Sequence, residues 1–147
     1  MQLSKLISIV LHPIFMPLLT IYLTVRAIPT IEFIIQPQLN IILITIVIAT
    51  ILLPLLSILF LIRKGKVNSL EMSNHKERSL PLTRGLIWMF LGYYILREIL
   101  IYTPLLQAEF LGAIIIVGLA AFISLYWKIS LHMLGIGGCV GAFIALQ

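Results

Sequence analysis

Two short clusters hold most of the residues able to do chemistry. The first is Asn74-His75-Lys76-Glu77-Arg78-Ser79-Leu80-Pro81. The second is Lys128-Ile129-Ser130-Leu131-His132, followed by Gly135, Gly137 and Gly138. Between them they bring Lys76, Arg78, Lys128, the Ser130 hydroxyl and the imidazoles of His75 and His132. This set suits an oxyanion: a guanidinium fork matches phosphate oxygens, an ammonium adds charge and a hydroxyl adds a donor. A helix opening near Ile129 would aim its first N–H groups and the positive end of its dipole at the same anion. A histidine beside a bound phosphate can protonate a leaving oxygen, because imidazole titrates near working pH.

The elements that must position these residues follow from composition. Of 147 residues, 61% are hydrophobic and only 10% charged, and the mean hydropathy is +1.17. A soluble domain carries roughly 25% charged residues, so here there is too little polar surface to cover a water-exposed globule. The expectation is an all-α integral membrane protein, a polytopic helical bundle forming a single membrane domain over 1–147. About 20 apolar residues cross a bilayer core of roughly 30 Å. By that measure there are about five spans, near 6–25, 39–62, 85–102, 109–127 and 129–146, with one polar loop over 63–84. The first run is too long for a signal peptide and lacks a small-x-small cleavage site, so it reads as a retained span. His12-Pro13 and Pro17 should bend it near its start, and Pro54 should kink the second. The fifth is about 27 Å long at the helical rise and only just spans.

Five spans put the N-terminus, loop 63–84 and Lys128 on one side of the membrane. That side holds Lys5, Arg63, Lys64, Lys66, Lys76, Arg78, Arg84 and Lys128, against Arg26 and Arg97 on the other. The positive-inside rule makes the richer side cytoplasmic, and the composition suits a bacterial inner membrane. On this topology both clusters, and His12, lie at one membrane face. The net charge of +5 is explained by the same pattern, and nucleic acid is excluded as a partner because no soluble basic face exists. No set of His, Cys, Asp and Glu has metal-ligand spacing, and no cofactor is implied. Cys139, the single cysteine, cannot form an internal disulfide and reads as a small packing residue.

Each residue also has a plainer reading. Lys76, Arg78 and Lys128 would serve as positive-inside charges among lipid headgroups. His75 would be a solvated loop residue and His12 part of a helix break. Gly137 and Gly141 make a small-xxx-small pair of the kind that packs helices. Arg97 and Glu98, being adjacent, should face different ways as interfacial anchors, with Glu109 at the far interface. His132 is different, because an ionisable group inside an apolar segment is functional by default.

At the two clusters the chain resembles the PAP2 superfamily, the membrane phosphatidic-acid phosphatase type 2 group related to vanadium haloperoxidases. Lys76 and Arg78, with Pro81 beyond, are similar to that family's first motif, and Lys128 with Ser130-Leu131-His132 to its second. KERSLP, KISLHMLGIGG and the early HPIFMP look like an uncharacterised bacterial branch. The resemblance implies that Lys76, Arg78, Lys128 and Ser130 hold a lipid phosphate, with the membrane bilayer as surroundings and His132 as the catalytic acid. The family's third motif supplies a phosphate-binding Arg and the nucleophilic His, yet neither residue type follows His132 here. The expectation is therefore a truncated PAP2-like phosphatase, inactive alone. The alternative is a non-catalytic membrane protein that binds phospholipid headgroups or serves as a subunit of a homo- or hetero-oligomeric complex. A small transporter is the third reading, and it lacks the paired interrupted helices of a midplane site.

Overall fold

A computed structural model describes residues 12–68 and 75–145, with His75 and Lys76 described by backbone alone. Within these residues the chain is helical and has no strand. A 3₁₀ turn, Pro13–Phe15, leads into α1, Met16–Ala27. The near-continuous helix α2 covers Pro29–Arg63, α3 His75–Leu100, α4 Pro104–Ile123 and α5 Leu131–Ile144. Two of these, α2 and α4, are long and apolar enough to cross a membrane, with window hydropathies of 2.9 and 2.1. Only 28% of each such window is buried, the rest being half-buried or exposed.

Four of the seven prolines stand where a missing N–H costs least, while Pro81 lies inside α3. Pro13, Pro17, Pro29 and Pro104 all lie in the first turn of a helical segment, where the N–H would have no helical partner. Pro54 lies well inside α2, and the expected disturbance is resolved by a π turn over Ile48–Leu52. There the Leu53 N–H reaches back to the Ile48 carbonyl, which lengthens the turn just ahead of the ring that would crowd a regular one.

Several boundaries differ from the expectation; α4, for one, covers Pro104–Ile123 rather than the expected 109–127. Helix α2 begins at Pro29 rather than near 39, because Pro37 is absorbed into a 3₁₀ turn, Gln36–Gln38, between two helical segments. Helix α3 begins at His75, so the second half of the polar stretch 63–84 is helix and not loop. Asn68 supports that start: its side-chain amide donates to Glu77 Oε1 at 2.6 Å and its backbone N–H to Oε2 at 3.2 Å. The expected first span falls partly on residues 1–11, outside the described residues. Helix α5 is shorter than expected, about 21 Å at the helical rise.

The closed core joins α1 to α4 and includes Ile21, Val25, Ile35, Ile42, Ile46, Leu96, Leu100, Leu106 and Phe110. It lies towards the end of the bundle that holds the turn between α3 and α4. Gly92 permits the approach of α2 to α3: a Cβ there would sit 2.5 Å from the Ala49 Cβ. Side-chain bonds pin α3 to its neighbours, Trp88 Nε1 donating to Ser57 Oγ of α2 at 2.8 Å and Gln107 of α4 to the Tyr93 hydroxyl at 2.7 Å. Helix α5 has no buried residue. The outward surface carries a wide spread of large apolar side chains, Phe33 at 82% exposure among them.

Candidate functional site

At the opposite end the helices part around a cavity of about 1190 Å³. Its mouth is built from helix ends: His12 ahead of α1, Arg78 in the first turn of α3, and Lys128, Ile129, Ser130 and His132 between α4 and α5. Four of the five expected site residues therefore share one cavity wall. The fifth, Lys76, has a side chain outside the described residues, as has His75. The sequence puts Arg78 and Ser130 far apart in the chain, and it is the antiparallel return of α4 against α3 that brings them together.

Several bonds hold the mouth in shape. An Arg78 guanidinium nitrogen donates to the Ile129 carbonyl at 3.0 Å, tying the start of α3 to the segment before α5 and fixing the fork's orientation. The neighbouring Glu77 carboxylate is engaged by Asn68. Ser130 caps α5, its hydroxyl oxygen accepting the Met133 N–H at 3.4 Å; acceptance leaves the hydroxyl proton as a donor. Gly135 lets α5 lie close at this point, since a Cβ would meet Met16 Cγ at 2.9 Å and Pro13 Cβ at 3.2 Å.

The two histidines meet edge to face, with ring centroids 5.4 Å apart. His12 is the N-cap of the 3₁₀ turn, and its Nδ1 accepts the Ile14 N–H at 3.3 Å. That bond uses the Nδ1 lone pair, so the neutral ring carries its proton on Nε2. In this form Nε2 donates and has no lone pair with which to attack. His12 was read from the sequence chiefly as a helix break; its second feature, the cap, required the geometry.

Beyond the mouth the wall becomes apolar. Helix α5 contributes a row of small residues, Gly135, Gly138, Cys139, Ala142 and Ala145, and α4 contributes Gly112, Ala113, Ile116 and Ala120. This row differs from the expected packing pair: Gly137 and Gly141 are exposed, with nothing among the described residues within 4 Å of an added Cβ. Deep in the cavity is Glu109, whose Oε1 accepts the Thr24 hydroxyl at 2.6 Å. Glu109 is thus part of the cavity wall. Arg97 and Glu98, expected to face different ways, instead pair with each other at 3.1 Å while Arg97 stacks over Tyr94.

Among the described residues there is no cluster of three metal-binding side chains. What the arrangement offers is a cationic, donor-rich mouth above a long apolar trough. No protein family, no curated protein and no solved structure matches the chain.

Proposed function

We propose that this chain is an integral membrane protein whose cavity binds an amphiphile, with an anionic phosphate-type head at the mouth and its chain in the trough. The observation that carries the reading is the sharing of one cavity by Arg78, Lys128, Ser130 and His132 at the end where the apolar wall begins. Arginine and lysine supply charge, Ser130 and the two histidines supply directed donors, and the small residues of α5 leave room for a chain. The cavity exceeds the roughly 300–1,000 Å³ of ordinary small-molecule pockets, as a long-chain ligand requires. The outward apolar faces of α2 and α4 suit lipid as solvent, and the excess of basic residues around loop 63–84 suits a cytoplasmic mouth.

The test uses the chain in phosphatidylcholine nanodiscs and a long-chain alkyl phosphate. Cys139 lies in the trough and is the only cysteine, so its alkylation by a lipid-soluble maleimide reports occupancy. The alkyl phosphate should slow that alkylation, while inorganic phosphate alone should not. Equal alkylation rates with and without the amphiphile would sink the reading.

A second reading, PAP2-like turnover of a lipid phosphate, is favoured by the contact of His12 with His132. It would make His12 stand in for the nucleophile. The cap bond at Nδ1 argues against this, because it places the proton on the very nitrogen that would attack. The expected outcome is therefore binding without turnover: lipid phosphate labelled in its phosphoryl group should leave no acid-labile phosphohistidine and release no phosphate. A label lost in His12→Gln would establish turnover instead.

A further inference from the structure

The inner end of the cavity holds a polar group that headgroup binding leaves unused. Thr20 and Thr50 also line the cavity, but each gives its hydroxyl to its own helix, Thr20 to the Met16 carbonyl and Thr50 to the Ile46 carbonyl, both at 2.8 Å. Glu109 is different. Its Oε1 is held by Thr24, while Oε2 is buried and has no hydrogen-bond partner among the described residues. A buried carboxyl oxygen without a partner is costly whichever protonation state it adopts. The cationic and imidazole side chains that line the cavity, Arg78, Lys128, His12 and His132, belong to the mouth. From Glu109 to Ala120 along α4 is about 16 Å, and from His132 to Ala145 along α5 about 20 Å, at the helical rise. Apolar wall fills that distance.

We propose that the amphiphile bound here carries a hydroxyl on its chain, remote from the anionic head, and that Glu109, positioned by Thr24, receives it. A hydroxyl both donates and accepts. It therefore satisfies Oε2 as a carboxylate, by donating, or as a carboxylic acid, by accepting. A protonated amine would serve only the first state, and an ether or carbonyl only the second. The inference rests on the headgroup reading for its anionic end, but the hydroxyl subsite has its own residues and its own readout.

The experiment measures the affinity of the full chain in phosphatidylcholine nanodiscs for alkyl phosphates of graded length, each with and without a terminal hydroxyl. The hydroxyl should improve binding about three- to tenfold at the chain length that reaches Glu109, and should give nothing at shorter lengths. Glu109→Leu should remove this gain, read as the ratio of the two affinities within that variant, whereas Glu109→Gln, which keeps a donor and an acceptor, should retain most of it. A wild-type chain indifferent to the hydroxyl at every length overturns the proposal, as does a gain that survives Glu109→Leu. Should Glu109→Leu fail to fold, the length dependence in the wild type decides alone. Failure of the headgroup reading looks different: plain alkyl phosphates would not bind, or would bind equally to Arg78→Ala. In that event a long-chain diol compared with the corresponding alcohol tests the subsite without any phosphate, and equal binding of the two overturns it.

Discussion

Replacing Arg78 separates a built anion site from a merely basic membrane face. Arg78→Ala removes a charge-assisted donor at the mouth and also the bond to the Ile129 carbonyl that ties α3 to the segment before α5. A hydrogen bond to a charged group contributes about 1.5–3 kcal/mol, which corresponds to roughly 10- to 150-fold in the dissociation constant. Arg84 provides the control. It lies on the same helix, about 9 Å further along the axis, over the Phe60 ring and outside the cavity lining. Arg84→Ala removes the same formal charge from a half-buried residue, and a charge more than about 8 Å away is largely screened at physiological ionic strength where water reaches it. Its expected loss is below about twofold. Arg78→Lys keeps charge without the planar fork and should fall between, at roughly three- to tenfold. Alkyl phosphate binding to each variant is measured at low and at physiological salt, with melting temperature as a check on folding. Equal losses for Arg78→Ala and Arg84→Ala, both erased by salt, would refute the site and leave only a diffuse basic surface.

Other expectations follow from packing and placement. Gly92→Ala should destabilise the fold by about 1–3 kcal/mol through overpacking, since its Cβ would overlap that of Ala49; this opposes the helical gain of up to about 1 kcal/mol that Gly137→Ala, with open space around it, should show on melting in micelles. Thr24→Val breaks the bond to Glu109 that joins α1 to α4 and should lower stability by about 1 kcal/mol, the scale of interhelical bonds in apolar surroundings; a melting point unchanged from wild type would show that bond to be idle. In a Cys139→Ser background, Lys64→Cys should react with an impermeant maleimide from the cytoplasmic side alone. Labelling from the opposite side would invert the orientation, and release of the protein by alkaline carbonate would remove it from the membrane.

The sequence made part of this legible through period and punctuation. Long apolar runs interrupted by Pro, Gly and charge announce helices, and counting spans puts the two polar clusters at one face. The structure places four residues of those clusters around one cavity, and reading the sequence could go that far because all four lie beside helix ends, where chain direction alone dictates position. Boundaries were less legible, for an identifiable reason. Pro37 looks like a break and is carried within α2 by a 3₁₀ turn. The polar residues 75–84 look like loop, yet polarity does not distinguish a solvated helix from a loop, and the Asn68–Glu77 bonds that support the helix start join residues on both sides of the intervening segment.

The cavity itself left no signal of its own, because a wall is made of the same residues as a packing face. Gly135 and Gly137 are both small residues in one helix. One lies against Pro13 and Met16, while the other has no neighbour among the described residues within reach of an added Cβ. Which is which depends on the rotation of α5, and that is set by α1 and the His12 turn, more than a hundred residues earlier in the chain. Glu109 shows the same dependence more sharply: its position in α4 is fixed locally, but its meaning comes from Thr24, 85 residues away. One oxygen held by Thr24 and one without a partner among the described residues is a state that no local pattern encodes. The trough would still admit a chain without this carboxyl, and the mouth would still hold an anion. A half-satisfied carboxyl on an otherwise apolar wall is therefore best understood through what enters the cavity, and not through the helices that build it.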